Sequence, residues 1–232
     1  MNQRPILFST PMVQAILDGR KTMTRRIVNP QPDENKAYRV PRILGQEQIW
    51  DHWCWDTKEG ERIIKKCLYG EIGDILWVRE TFRKYYVTFP DSDRINFDHE
   101  IVDYAADPNT AIPMQDGDGF QVFNKDGSER YIPWKPSIHM EKKHCRIYLE
   151  ITELRVERLN EISESDAVSE GIRDNRGPFQ DGIQFKNYLG SGSWTCSPAY
   201  SFQTLWAKIN GQESWDLNPW VWVIEFKKID KP

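Results

Sequence analysis

Apolar residues recur in two rhythms along this chain, and the switches between them mark its elements. Pro5 to Ser9 is a short apolar run that reads as a strand. Thr10 then caps a helix with Pro11 at its first position, where a missing N–H costs nothing. Met12, Ala15 and Ile16 fall at helical spacing, and Asp18-Gly19 closes the helix. From Thr22 to Val28 the period becomes two. Thr22, Thr24 and Arg26 share one face, and Met23, Arg25 and Ile27 share the other. Ile75 to Val78 predicts a buried strand ending at Arg79-Glu80, β-prone residues continue from Thr81 to Phe89, and a further strand is expected at Ile101 to Ala106. Arg146 to Leu159 predicts the longest strand. Ile147, Leu149 and Ile151 alternate, but Leu154 and Val156 resume one position out of step, which requires a bulge near Thr152-Glu153. Ser163 opens a short helix as a capping-box start, with Asp166 three residues on and Gly171 as its end. Ser197-Pro198 opens another, with Phe202, Leu205, Trp206 and Ile209 on one stripe and Gly211 as its stop. Trp220 to Phe226 is apolar on both faces until Glu225, the pattern of a central strand.

Between these segments the rhythm is lost. Residues 29–47 carry Pro30, Pro32 and Pro41 among charges and read as a loop or insertion, followed by Trp50, Trp53, Trp55 and a charged run to Lys66. Residues 70–74 read as a turn. Residues 90–134 are rich in Asp, Asn, Gly and Pro, with hairpin-like turns at Asp116-Gly117 and Asp126-Gly127. That stretch has too few apolar residues to stand alone and reads as an elaboration on a smaller domain. Residues 173–197 form another Gly/Ser/Asn-rich loop. Strands at both ends with helices between them give the class α+β. The expected architecture is a small mixed barrel with helices outside it. One domain, 1–232, is expected, with insertions at about 29–70, 83–143 and 172–197.

Composition narrows the chemistry. No apolar run approaches a membrane span, and Met1-Asn2-Gln3-Arg4-Pro5 does not open a secretory leader, so a cytosolic protein is expected. Cys54, Cys67, Cys145 and Cys196 are scattered without a CxxC pair and read as free thiols. The net charge of −4 gives no basic face for duplex nucleic acid, so any phosphate recognition is local. Ten tryptophans supply core mass or stacking platforms.

The densest chemistry lies at Gly19-Arg20-Lys21-Thr22-Met23-Thr24-Arg25-Arg26, four cations and two hydroxyls behind the first helix. One reading is a site for a small, polar, partly anionic ligand such as a nucleotide. The other is a solvated basic strand edge that discourages edge pairing. Glu170, near a helix C-terminus where the dipole disfavours an acid, reads either as an ordinary solvated glutamate or as a carboxylate placed for use. Arg79 and Glu80 either face a cleft or enter an intramolecular ion pair at a strand end. Trp77 and Trp134 are candidate stacking rings, and His139 is a lone histidine near the second of them. His52, Cys54, Cys67, His139, His144 and Cys145 match no structural-zinc spacing, and no deaminase signature, P-loop or GxSxG elbow is present. No flavin, nicotinamide, haem or metal cofactor is expected.

The GRKTMTRR run, the GDILWV strand, the SESDAVSEGI helix and the terminal VIEFK strand occur in an order that resembles the ASCH domain, a relative of the PUA RNA-binding fold. The family's GxKxxxxR motif is filled by Gly19, Lys21 and Arg26. The layout resembles the longer ASCH proteins of phages and prophages. One branch of that family hydrolyses N4-acetylcytidine with a lysine, a threonine and a glutamate. The resemblance implies Lys21, Thr24 and Glu170 in those roles. Gly19, Arg20, Thr22, Arg26, Trp77, Arg79, Glu80, Trp134 and His139 are the expected ligand contacts. In that scheme Lys21 is a base whose pKa is depressed by burial and by Arg20, Arg25 and Arg26. Thr24 supplies a hydroxyl, Glu170 relays a proton and Arg26 steadies an oxyanion. Arg25 departs from the branch, which has an apolar residue there, and the insertions leave the substrate open. The alternatives are a non-catalytic RNA- or DNA-binding module and a ribonuclease. The implied partners are RNA, single-stranded nucleic acid or a modified nucleoside. No membrane is expected, and the oligomeric state is left open.

Overall fold

The computed structural model describes the chain except for residues 1, 33–37, 45–46, 57–61, 88–98, 108–118, 124–128, 175–182 and 191. The elements run β1 (Gln3–Leu7), α1 (Thr10–Leu17), β2 (Met23–Ile27), β3 (Tyr38–Leu44), β4 (Glu47–Asp56) and β5 (Arg62–Lys65). Then come β6 (Ile75–Arg79), β7 (Phe82–Val87), β8 (His99–Tyr104), β9 (Gly119–Phe123), β10 (Glu129–Pro133) and β11 (Tyr148–Arg158). The chain ends with α2 (Glu164–Ser169), β12 (Phe185–Lys186), β13 (Trp194–Thr195), α3 (Pro198–Asn210), α4 (Gln212–Asp216) and β14 (Trp220–Ile229).

The central sheet has the order β1-β6-β11-β14-β2. The α+β class holds, but the expected barrel does not: this sheet is open. Its outer strands are β1 and β2, five residues each, and they pair with β6 and β14 rather than with one another. Closure would require those two edges to meet. The chain divides into two compact units. One comprises 1–4, 15–76 and 149–229; the other comprises 5–14, 77–148 and 230–232. The second encloses the stretch 83–143 that reads as an insertion.

In the first unit β14 is central, as its two-sided apolar pattern requires, and residues 220–224 are all buried. It pairs antiparallel with β2, placing Glu225 opposite Met23, Val223 opposite Arg25 and Val221 opposite Ile27. These residues therefore share one face of the sheet, and Thr24, Arg26, Trp222 and Ile224 share the other. On the first face lies a core of Met23, Val221, Val223, Leu159, Ile162, Ala167, Ile172, Phe185, Phe202 and Trp206. Each large apolar side chain buried there contributes about 1.5–3 kcal/mol. β11 shows the anticipated slip: Ile151 and Leu154 are buried and the two residues between them, Thr152 and Glu153, are exposed.

Ser163 caps α2 by accepting the Asp166 N–H at 3.1 Å, and Ser197 caps α3 from the Tyr200 N–H, also at 3.1 Å. The α3 stripe is turned from the expected one. Phe202 and Trp206 are buried, but Ile209 is 54% exposed and the small residues Ser201, Thr204 and Ala207 are buried instead. The segment 29–47 is not simply a loop. β3 and the start of β4 lie in it, and β3-β4-β5 form a three-stranded sheet. Proline density hid this strand, and Pro41 sits where the β3–β4 register shifts between Val40 and Arg42, a place in a ladder that tolerates a missing N–H. The loop 173–197 likewise carries the β12–β13 ladder.

In the second unit β7 pairs antiparallel with β8, and β9 with β10. The Asp126-Gly127 turn between the latter pair, like Asp116-Gly117, lies outside the described residues. Cys54, Cys67, Cys145 and Cys196 are free thiols. Among the described residues no helix is long and apolar enough to cross a membrane.

Gly171 adopts φ +82°, and a Cβ there would stand 2.7 Å from the Lys21 Cβ and 3.0 Å from the Ala15 Cβ. Gly19 has a similar φ of +72° but open space around it. Gly171→Ala therefore combines backbone strain with a clash and is expected to cost at least about 2 kcal/mol, against about 1 kcal/mol for Gly19→Ala. Urea unfolding of both variants checks this; equal losses would show that the close approach of Gly171 to Lys21 is not a constraint.

A buried ion-pair array at the first turn

Lys21 is held by backbone before it is held by charge. Its N–H and that of Arg20 both donate to the Ala15 carbonyl at 2.9 Å, which caps α1. Lys21 then forms an antiparallel bridge with Glu170, and the Thr22 N–H donates to the Ser169 carbonyl at 2.9 Å. The first turn is thereby joined to the end of α2. Side chains follow the backbone. Lys21 Nζ donates at 2.8 Å to each of three acceptors: the Met23 carbonyl, the Glu170 carbonyl and Glu170 Oε2. An ammonium has three hydrogens, so every one is met. The side chains are 1% and 5% exposed, and the pair is a buried salt bridge.

The array extends outward from Glu170. Arg25, whose side chain is 0% exposed, places Nη1 3.4 Å from Glu170 Oε1. Its Nη2 donates to Asp166 Oδ2 at 2.6 Å and Glu157 Oε2 at 3.0 Å. Arg155 shares Asp166 Oδ2 at 2.7 Å, donates to Glu157 Oε1 through Nε and also pairs with Glu225. Cation and carboxylate alternate from Lys21 to the half-buried Glu225. Burial pulls the Lys21 ammonium below the ordinary lysine range; Glu170 opposes this, and Arg26 and Arg25 add to it. Asp166 is held below the ordinary aspartate range: burial works to raise it, and hydrogen bonding and charge from Arg25, with charge from Arg155 and the Ser163 hydroxyl, outweigh that.

The structure thus brings Lys21 and Glu170 together, and Glu170 is not a solvated glutamate. Thr24 is buried, but on the opposite face of β2 from Met23 and Arg25, with Ile224 across the ladder. Arg26 shares Thr24's face and lies over the Tyr69 ring at 5.8 Å. Thr22 is exposed. Arg20 pairs with Asp18 at 2.9 Å and reaches the Gly171 carbonyl at 3.3 Å, and Gly19 turns the chain behind α1.

The remaining candidates belong to the second unit. Glu80 is fully buried and enters an intramolecular ion pair at its strand end, with Arg146 at 3.0 and 3.1 Å. Burial raises its pKa despite that partner. Arg79 lies over Trp77 and donates to the Ile138 carbonyl. Trp134 is covered by the Arg83 guanidinium at 4.4 Å. His139 is exposed in a single 3-10 turn. Among the described residues no cluster of His, Cys, Asp and Glu has the arrangement of a metal site.

Sequence reasoning missed Arg155, Glu157 and Glu225. The available signals were Glu225, which interrupts an apolar run, and charges at alternate positions of the longest strand. Asp166 was legible as a capping acid, yet its carboxylate serves Arg25 and Arg155 instead. No protein-family model, curated protein or solved structure matches the chain.

A carboxylate with a depressed pKa stabilises the fold above its unfolded value, near 3.9, and that stability is lost as pH falls through the folded value. Asp166→Asn is therefore expected to lower stability at neutral pH and to flatten its dependence on pH below about 4. Urea midpoints between pH 2 and 7 (about one per pH unit) give the comparison; parallel curves would remove Asp166 from the acid response.

Proposed function

We propose that this chain is an ASCH-type domain of PUA-like descent, acting in the cytoplasm, that binds a nucleoside or single-stranded nucleic acid at its first turn. The observation that carries the reading is the Lys21–Glu170 contact. A lysine and a carboxylate separated by 149 residues of chain meet as a buried pair, as the family resemblance requires of them. On the other face of β2, Arg26 lies over the Tyr69 ring, and Thr22 carries an exposed hydroxyl at the turn. The guanidinium suits a phosphate and the hydroxyl a ribose.

Hydrolysis of an N-acylated cytidine is the second reading. It is favoured by the lowered pKa of Lys21, which brings a neutral amine closer to neutral pH. As the pair stands, all three hydrogens of Nζ are taken by protein acceptors, so either reading needs a ligand that displaces one of them.

Calorimetric titration with cytidine, N4-acetylcytidine and single-stranded RNA, at low and high salt, tests the proposal. Binding of at least one probe is expected, weakened about tenfold or more by Lys21→Met, which is about 1.4 kcal/mol. A salt-insensitive nucleoside affinity identifies a small-molecule site, and a steep salt slope a polymer. No affinity for any probe, or equal affinity in the variant, would overturn the proposal. Acetate release from N4-acetylcytidine by the native chain but not by Lys21→Met would support hydrolysis; none from either would remove it.

A further inference from the structure

Arg25 is the residue of the first-turn motif that the binding reading leaves without a task. Its guanidinium is fully buried and lies 5.9 Å from the Phe202 ring, inside the apolar face. Nη2 is well used, at 2.6 and 3.0 Å from two carboxylates. The rest of the group is not. Nη1 has the Met23 thioether at 3.3 Å, a weak acceptor, and Glu170 Oε1 at a long 3.4 Å. Nε is buried and has no hydrogen-bond partner among the described residues. A buried donor left unmet destabilises the site that holds it. The carboxylate that faces Nη1 is the one that occupies Lys21: Glu170 holds Lys21 through Oε2 and turns Oε1 toward Arg25.

We propose that Arg25 is a positioning residue that receives the Glu170 carboxylate when a ligand engages Lys21. The inference rests on the binding reading for the ligand's identity, but its geometry does not. Moving Glu170 fully onto Lys21 leaves Nη1 of Arg25 with only a weak acceptor; moving it onto Arg25 frees one Nζ hydrogen and gives Nη1 a charged partner. The charge of the array is unchanged, because one buried cation takes over from another. The groups that surround the exchange are Lys21 and Arg25 from the first turn and β2, Glu157 and Arg155 from β11, Asp166 and Glu170 from α2 and its end, and Glu225 from β14. An apolar residue at position 25 would strand Glu170 without a partner as soon as Lys21 turned to a ligand.

A crystal structure of Lys21→Met vacates the lysine without any ligand. A Glu170 oxygen is then expected within about 3 Å of an Arg25 nitrogen. A carboxylate that stays at its present separation, or turns to solvent, overturns the proposal. If that variant does not fold, the native chain carries the same test. Raising the pH until Lys21 loses its proton is expected to shift the Arg25 Cζ resonance, which carries no exchangeable hydrogen; an unmoved signal overturns the proposal. With a binding probe in hand, cytidine or N4-acetylcytidine, Arg25→Met is expected to weaken affinity about tenfold in the native background and not at all in Glu170→Gln. Arg25→Lys is expected to restore most of it. Equal loss in both backgrounds makes Arg25 merely structural. If the native chain binds no probe, the binding reading fails, while the two ligand-free experiments still decide the role of Arg25.

Discussion

Placing the Lys21 ammonium out of water is the constraint that organises the first unit. An isolated buried charge costs many kcal/mol, so the fold must bring acceptors to it. Two of the three are backbone carbonyls, at Met23 and Glu170, and these exist only if β2 begins where it does and α2 ends where it does. The third is the carboxylate that α2 presents as it stops. Gly171, with its positive φ and its close approach to Lys21 and Ala15, is what lets the chain turn away at that spot. The ion pair, the bridge between Lys21 and Glu170 and the glycine are thus one device.

The second unit meets the same problem with different parts. Glu80 is fully buried at the end of β6, and Arg146 answers it with the Nε and Nη2 edge of its guanidinium. That guanidinium is stacked on Tyr104 at 4.0 Å and reaches Asp107 at 3.4 Å. Arg83 repeats the scheme, paired with Asp103 at 2.9 Å and lying over Trp134. Arginine suits this use better than lysine, because a planar, weakly hydrated cation can face a ring and a carboxylate at once. It also explains why Trp77 and Trp134, read as stacking platforms, are covered by arginines of their own chain. An aromatic ring beside a basic residue in sequence does not reveal whether the cation it meets is its own.

Much of the central sheet was legible because burial imposes period on sequence. The two-sided apolar run at Trp220 made β14 central, and the phase slip at Thr152-Glu153 appears as two successive exposed positions in β11. Serine caps and glycine stops placed α2 and α3 for local reasons that need no tertiary context. Closure was not legible. A period-two pattern says which face of a strand is buried, not whether the outermost strands of a sheet find each other, and β1 and β2 do not. Nor was β3, where prolines and charges outweighed β-prone residues until a bulge absorbed Pro41. At the site, the association of Lys21 with Glu170 was implied by the family resemblance; the residues by themselves left a solvated strand edge and a solvated glutamate open. The outer members of the array were not implied, since Arg155, Glu157 and Glu225 resemble the solvent side of any strand until the sheet order places β11 beside β14.

Strand alternation bears directly on what chemistry the first turn can perform. Arg25 and Thr24 are adjacent and so point to opposite faces of β2, and the Lys21 ammonium lies on Arg25's side with Glu170. For Lys21 to activate the Thr24 hydroxyl, β2 would have to slip by one residue against β14. That slip would exchange every inward and outward side chain, expelling Met23 and Arg25 from their places and bringing Arg26 in. It would break the Asp166, Glu157 and Glu170 contacts of Arg25 at once. An acyl transfer that used this lysine on this face would therefore draw its nucleophile from solvent, with Glu170 and Lys21 as the proton-handling pair and Thr24 holding the strand from behind. Binding without chemistry requires less of the same architecture: only that Glu170 have somewhere else to go when Lys21 is engaged, and Arg25 is the cation within reach.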